Sequence, residues 1–366
     1  MNYARLLAAS ALLVASATAL GQSTLESMAA AMQPGEWRVL NRGGDASGYG
    51  YDLLVSCFGS DCGDNILNYA AKGLWNPNTR EIHFIGQGHG TRLLKHISYS
   101  AASNRWALEA KPYWDCSTSP NCWGIVHGYE HSTIDPATGT IYARKFNSTQ
   151  IFKWVRSSKT WSELPAAPNP AVAVALEWFP EMKGFLLVGG GQIHVFSEAT
   201  GTWRSLAVNL PMGGYHNVAT YNPVHKVAIV GGGNDSRALY KVASDGAVTR
   251  IEDAPGGVGI RSGILTTDPV SGKVLLFTGA GTMHEYDVPS NRWSSLSAAI
   301  PLWAPDPNKI TFRVAIPISS FGVVAFLTTY GSDQSSQVYL YKHAAGTGAP
   351  IDRTPPAPPT GLRIVK

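Results

Sequence analysis

The sequence predicts an all-β fold in which a unit of four strands is repeated along the chain. Glycine is abundant, with 38 residues in a chain of 366, and aromatic residues make up 10% of the sequence. Short runs rich in Val, Ile and Leu stand between turn signals, as strands do. A pattern of roughly 45 residues recurs through most of the chain, and such a period is typical of repeat architectures.

The composition limits the class of protein without naming a function. The chain is 44% hydrophobic and 15% charged. These values argue against intrinsic disorder, because disordered chains combine low hydrophobicity with high charge. The formal net charge of +4 is too small to indicate nucleic-acid binding, so we expect no nucleic-acid partner.

Residues 1–21 are typical of a secretory signal peptide. Arg5 supplies the positive charge, and residues 6–20 are apolar or small. Both Ala17-Thr18-Ala19 and Ala19-Leu20-Gly21 are suitable cleavage sequences. A membrane anchor would need a longer apolar run, and no later segment has one. We therefore expect a secreted or periplasmic protein with no membrane span.

The repeated unit is clearest at residues 185–191, where an apolar run ends in three glycines and is followed by Phe196 and Trp203. The same order of apolar run, aromatic residue and Trp recurs with Tyr99 and Trp106, Trp154 and Trp161, and Tyr286 and Trp293. A turn precedes each run, at Asn76-Pro77, Asp135-Pro136, Phe179-Pro180, Asn222-Pro223 and Asp268-Pro269. Asn or Asp before Pro favours turn initiation. Each unit is therefore predicted to contain four antiparallel strands.

This pattern resembles the kelch repeat, and the resemblance implies a β-propeller whose blades are the four-stranded units. It divides the chain into a signal peptide (residues 1–21), a propeller (36–343) and a C-terminal segment (344–366). The C-terminal segment is rich in Pro and Gly and resembles a linker that enters a fibronectin type III module. We expect it to be an extended linker.

The number of blades follows from the ends of the repeat. The last unit, residues 312–341, lacks its fourth strand, and residues 36–40 resemble the fourth strand of another unit. We therefore expect six blades, with the N-terminal strand closing the last one. A seventh blade would need a strand at residues 51–55.

The four cysteines form two close pairs in segments that read as loops. Cys57 precedes Cys62, and Cys116 precedes Cys122. In an exported protein these pairs predict two local disulfides. A single site with four thiolate ligands is the alternative, but the CxxC spacing of zinc ribbons is absent. We predict no metal site or cofactor, and a structural calcium bound by loop carbonyls stays open.

Strand direction places the predicted site on one face of the ring. Both long loops between blades, residues 41–68 and 111–126, lie on this face, and each carries a cysteine pair. The innermost strands begin there, so the residues at their starts, with Tyr69 among them, surround the mouth of the channel. The candidate catalytic residues are His127, Tyr129, His131, Arg144, Tyr215 and His216. The candidate substrate-binding residues are His89, Arg92, Trp114, Trp123, Arg261 and Arg313.

Histidine, tyrosine and arginine with few carboxylates are suited to β-elimination on a uronic-acid polysaccharide. A base removes the proton alpha to the carboxylate, a cation stabilises the resulting charge, and an acid protonates the leaving oxygen. In architecture and residue types the chain resembles secreted propeller polysaccharide lyases of the ulvan lyase type. We expect His131 or His127 as base, Tyr129 or Tyr215 as acid, and Arg144 with Arg261 on the carboxylate.

Two other functions stay open. Gly214-Tyr215-His216-Asn217 resembles the copper-binding blade of the galactose and glyoxal oxidases, with Tyr129 as a second tyrosine, but Arg313 lies where a later His is expected. A non-catalytic propeller for glycan binding or adhesion is the third class, and it would depend on Trp114 and Trp123. In each case we expect a monomer, and the preferred partner is an acidic polysaccharide or another glycan. Glycoside hydrolysis is less favoured, because it needs two facing carboxylates.

Overall fold

A computed structural model describes residues 24–40, 66–88, 94–110, 127–169, 172–260, 262–297, 300–301, 312–330 and 335–343. The predicted signal peptide, the C-terminal linker, the four cysteines and the strand considered for a seventh blade lie outside these residues. Within them, no helix is long and apolar enough to cross a membrane.

The described chain is a six-blade β-propeller, as expected, and each blade is a four-stranded antiparallel sheet. It begins with helix α1 (Thr24–Ala31) and strand β1 (Trp37–Val39). Blade 1 contains β2 (Leu74–Asn76), β3 (Glu81–Gln87), β4 (Leu94–Ser100) and β5 (Arg105–Leu108). Blade 2 contains β6 (Ser132–Asp135), β7 (Thr140–Arg144), β8 (Ile151–Val155) and β9 (Thr160–Glu163).

The remaining blades repeat this order. Blade 3 contains β10 (Ala175–Phe179), β11 (Gly184–Gly189), β12 (Gln192–Ser197) and β13 (Thr202–Ala207). Blade 4 contains β14 (Val218–Asn222), β15 (Val227–Gly231), β16 (Leu239–Val242) and β17 (Val248–Arg250). Blade 5 contains β18 (Gly263–Thr267), β19 (Val274–Thr278), β20 (Met283–Asp287) and β21 (Arg292–Leu296). Blade 6 contains β22 (Phe312–Ile318), β23 (Val323–Tyr330), β24 (Ser335–Tyr341) and β1.

The six innermost strands close the ring. Each of β2, β6, β10, β14, β18 and β22 contacts the next, and β22 contacts β2. Parallel bridges reinforce neighbouring strands, including Lys72 with Ala315 and Glu130 with Ala175. Because blade 6 meets blade 1 directly, the ring has no position for a seventh blade.

The N-terminal strand closes blade 6, which confirms the predicted closure. Trp37 pairs with Tyr341, and Val39 pairs with Tyr339. The indole of Trp37 also stacks on the ring of Tyr341, with centroids 4.4 Å apart. The two ends of the repeat are therefore joined in one sheet.

Both faces of each blade are buried between neighbours, which explains why the predicted strands are continuously apolar. In β11, Leu186 and Val188 pack toward blade 4, while Phe185 and Leu187 pack toward blade 2. All four are at most 1% exposed. Strands buried on both sides lose the alternation of apolar and polar residues that marks a half-exposed sheet.

The Asn-Pro and Asp-Pro turns form as their sequence predicts. The side-chain oxygen of Asn222 accepts hydrogen bonds from the backbone N–H groups of Val224 and His225, both at 3.1 Å. Asp135 accepts one from Ala137 at 2.9 Å. This Asx bonding mimics a backbone turn and fixes the chain reversal. All these turns lie on the face opposite the start of the innermost strands.

Candidate functional site

A group of aromatic and imidazole rings converges where the innermost strands of blades 1, 2 and 4 begin. This mouth cluster consists of Tyr69, His127, Tyr129, His131, Tyr215 and His216. Ring centroids are 4.6 Å apart for Tyr69–His127, 5.1 Å for His127–Tyr129, 4.8 Å for Tyr129–His131, 5.8 Å for Tyr129–His216 and 4.8 Å for Tyr215–His216. The structure therefore brings five of the six predicted catalytic residues together, with Tyr69 as an additional member.

The backbone at this mouth is held in a conformation that most residues avoid. Tyr69, Tyr129, Ala173 and His216 have φ values of 50°, 43°, 50° and 66°. A left-handed backbone costs a residue with a side chain roughly 1–2 kcal/mol. Hydrogen bonds between blades hold it, from Tyr129 N–H to Tyr69 O at 2.8 Å and from His216 N–H to Ala173 O at 2.9 Å. Such strain concentrates at functional sites.

The cluster has an exposed part and a buried part. Tyr215 is 46% exposed and His216 is half-buried. His127, Tyr129 and His131 are buried beneath them, at 2%, 6% and 2% exposure. Of the cluster residues that the structure describes, Tyr215 and His216 are therefore the ones that an approaching ligand meets first.

Burial sets the protonation states of the two deepest rings. Desolvation lowers the pKa of His131 well below its usual value, and the nearby Arg144, His127 and His216 lower it further. Desolvation raises the pKa of the Tyr129 hydroxyl. At neutral pH His131 is therefore an uncharged imidazole that can accept a proton, and Tyr129 is a neutral phenol that can donate one.

Arg144, the sixth predicted catalytic residue, is a buried cation beside His131. Its backbone N–H donates to His131 O at 2.8 Å, and its side chain is 0% exposed. Nη2 donates to Asn169 O at 3.2 Å. Within the described part of the chain, Nε and Nη1 of Arg144 have no hydrogen-bond partner, and neither ring nitrogen of His131 has one. Burial lowers the pKa of Arg144 to about 10, so the guanidinium keeps its charge at neutral pH.

A buried charge without a partner is costly, by several kcal/mol per ion. None of the described carboxylates forms an ion pair with Arg144, and burial alone accounts for its lowered pKa. The guanidinium and the single N–H of the neutral His131 ring are therefore suited to receive an anion that carries acceptor oxygens. A carboxylate satisfies both requirements, because it is negatively charged and offers oxygens in the plane that a guanidinium recognises.

Below the mouth cluster, an ion-pair network spans the channel axis. Lys72 Nζ lies 2.7 Å from Glu177 Oε2 and 3.5 Å from Glu130 Oε2. Glu130 also accepts the backbone N–H of Ala219 at 2.8 Å. Burial raises the pKa of Glu130 to about 7. Sequence reasoning missed Lys72, because its carboxylate partners come from two other blades, Glu130 from blade 2 and Glu177 from blade 3.

The remaining predicted residues contribute less to the described site. Arg313 lies at the mouth end of β22 and is half-buried. Among the described residues, no group of three or more His, Cys, Asp or Glu side chains is arranged to bind a metal ion. The other predicted substrate-binding residues and the predicted disulfide cysteines lie outside the described residues, namely His89, Arg92, Trp114, Trp123, Arg261, Cys57, Cys62, Cys116 and Cys122.

Known proteins do not assign this chain to a family. The sequence matches no protein-family model and no curated protein sequence. Function therefore has to be inferred from the chemistry of the mouth cluster and Arg144.

Proposed function

We propose that this protein is an exported polysaccharide lyase that cleaves a uronic-acid polysaccharide by β-elimination at the mouth cluster. The observation that carries the proposal is Arg144, a buried guanidinium without a carboxylate partner among the described residues, beside a neutral His131. The likeness of the repeat to kelch propellers and the signal peptide predicted at residues 1–21 support an extracellular glycan as substrate.

Each step of the elimination has a group suited to it. Arg144 binds the uronate carboxylate and stabilises the negative charge that develops on it. The C–H bond alpha to that carboxylate breaks, and its proton passes to neutral His131. A carbon–carbon double bond forms as the glycosidic C–O bond breaks, and the leaving oxygen takes the hydroxyl proton of Tyr129. The exposed ring of Tyr215 contacts the sugar.

Substrate access follows from the depth of these groups. Because His131 and Arg144 are buried, the carboxylate has to pass below Tyr215 and His216 to reach them. Binding that buries the carboxylate also removes water, which strengthens its attraction to the guanidinium. The formal net charge of +4 gives a modest additional attraction for an acidic polymer.

The proposal is tested by following ultraviolet absorbance while the mature protein acts on a panel of uronic-acid polysaccharides. The unsaturated product absorbs, whereas the intact polymer does not. We expect His131→Ala, Tyr129→Phe and Arg144→Met each to lower kcat/KM by about 10²–10⁴-fold. Arg156→Met is the matched control, because Arg156 pairs with Glu81 away from the mouth, and it should keep its activity.

The pH profile provides a second readout. Because the pKa of His131 is well below its usual value, the base stays unprotonated and activity should persist below about pH 6.5, where an ordinary histidine loses it. Absence of an unsaturated product on every uronic-acid polymer would contradict the lyase proposal. Retained polysaccharide binding would then favour the glycan-binding alternative, and Trp114 and Trp123 would be the residues to substitute.

A further inference from the structure

The channel contains a cavity at the end opposite the mouth cluster. Its volume is about 190 Å³, and all six innermost strands contribute to its wall. In every blade the lining residues follow the mouth residues along the innermost strand. The cavity therefore lies toward the turns that join each innermost strand to the second strand of the same blade. One proline from each of blades 2 to 6 lines it, at Pro136, Pro180, Pro223, Pro269 and Pro317. Proline rings have a fixed backbone φ, which favours a preformed opening.

At a pH above the Glu130 pKa of about 7, the inner end of this cavity has an excess of negative charge. Among the described lining residues, Lys72 and Glu177 are the charged ones, and Glu130 lies 3.5 Å from the same ammonium group. Burial opposes the charge on Lys72, yet Glu177 and Glu130 raise its pKa, and its ammonium also donates to Leu176 O. One lysine is therefore shared by two carboxylates. A second cation is attracted to this end, and an anion is repelled.

Two indoles complete the wall, and each is held from outside the cavity. Trp178 stacks on Tyr142 with ring planes 10° apart. Trp75 donates its Nε1–H to Ser320 Oγ at 3.1 Å. Their exposures of 8% and 5% show that little water reaches them. A cation near an indole is stabilised most strongly when it is desolvated.

We propose that this cavity binds a small organic ammonium ion, with its charge toward Glu177 and its carbon atoms between Trp75 and Trp178. Each oxygen of Glu177 has two lone pairs, and the hydrogen bonds to Tyr221 N and Lys72 Nζ use one on each oxygen. Acceptor capacity therefore remains for an N–H donor of the ligand. This site is independent of the elimination proposed at the opposite mouth.

The test compares three probes of similar shape: propylammonium, 1-propanol and propionate. Isothermal titration at low ionic strength, at a pH above the Glu130 pKa of about 7, should detect saturable one-to-one binding of propylammonium. We expect at least tenfold weaker binding of the other two. Equal binding of 1-propanol would overturn the proposal, because it would show that the cavity recognises carbon atoms and not charge.

Two variants locate the site. Glu177→Gln should weaken propylammonium binding at least tenfold, while Glu252→Gln, which removes a carboxylate paired with Arg292 outside the cavity, should leave it unchanged. Ala315→Leu should abolish binding by filling the cavity from blade 6 while keeping every charge. Ala315→Leu decides the outcome if Glu177→Gln fails to fold. Retained binding in Ala315→Leu, or no binding of propylammonium to the wild type, would also overturn the proposal.

Discussion

At the scale of single residues, blade 1 contains a buried histidine pair that is separate from the mouth cluster. His83 Nδ1 lies 3.2 Å from His96 Nε2, and both side chains are 0% exposed. His96 Nδ1 lies 3.4 Å from Ala110 O, and because a carbonyl oxygen only accepts, His96 Nδ1 is the donor in this contact. Desolvation lowers the pKa of His96 well below its usual value, and His83 lowers it further. The folded protein therefore holds His96 uncharged.

This pair predicts a loss of stability in mild acid. Below about pH 6.5 the unfolded chain protonates its histidines, whereas folded His96 does not take up a proton. The free energy of unfolding should therefore fall as pH decreases through this range. Glu130 acts in the opposite sense, since its raised pKa makes the folded state bind the extra proton.

Comparison of variants isolates the contribution of His96 to the pH dependence of stability. Urea unfolding at a series of pH values should show a weaker acid destabilisation in His96→Gln than in the wild type. His225→Gln, on a turn of blade 4, is the matched control and should follow the wild type. Identical pH dependence in all three proteins would show that the buried pair has no part in it.

The identities of the mouth residues could be predicted from the sequence, but their environments could not. The start of an innermost strand is a register position, so Tyr129, His131 and His216 follow from the repeat. The lack of a carboxylate partner for Arg144 among the described residues and the pairing of Lys72 with Glu177 depend on side chains from neighbouring blades. No local pattern specifies which side chains meet across the axis.

At the scale of secondary-structure elements, the strands were predictable and helix α1 was not. Leu25, Ala29 and Met32 are at most 2% exposed and pack in the cluster between blades 1 and 6. Their spacing fits one face of a helix. This helical pattern is short and lies directly after the predicted signal peptide, so the sequence alone does not predict the helix. An ion pair between Arg80 and Glu26 joins the helix to blade 1.

The packing of α1 predicts that it contributes measurably to stability. Leu25→Ala should lower the free energy of unfolding by about 2–5 kcal/mol, since it removes a buried side chain and leaves a cavity. Ala30→Ser, at an exposed position of the same helix, should change it by less than about 0.5 kcal/mol. Chemical denaturation of both variants measures the difference. An equal effect of the two would mean that the helix does not stabilise the propeller.

At the scale of the whole molecule, stability depends on joining the two ends of the propeller. Blade 6 is complete when β1 adds to β24, and its outer strand is the first strand of the described residues. This closure was predictable, because the last repeat lacks a fourth strand and residues 36–40 supply one. The number of blades is fixed at six by the direct contact between blades 6 and 1, and only the structure shows this contact.

Truncation tests the closure. A chain that begins at residue 24 should unfold in one cooperative thermal transition, because it keeps α1 and β1. A chain that begins at residue 41 loses Trp37 and its stacking on Tyr341, and it should unfold at a lower temperature. A synthetic peptide of residues 24–40 should restore part of the loss. Equal midpoints for the two chains would contradict this account of the ring.

The closure also determines how the protein responds to a pulling force. The chain enters β1 and leaves β24 at the same end of the pair, where Gly35 N–H donates to Lys342 O at 2.8 Å and Lys342 N–H donates to Glu36 O at 3.1 Å. Tension between the termini loads these hydrogen bonds one after another, as in a zipper, and does not load all of them together in shear. Once α1 has detached, the ring should open at low force from blade 6, while the other five blades stay folded.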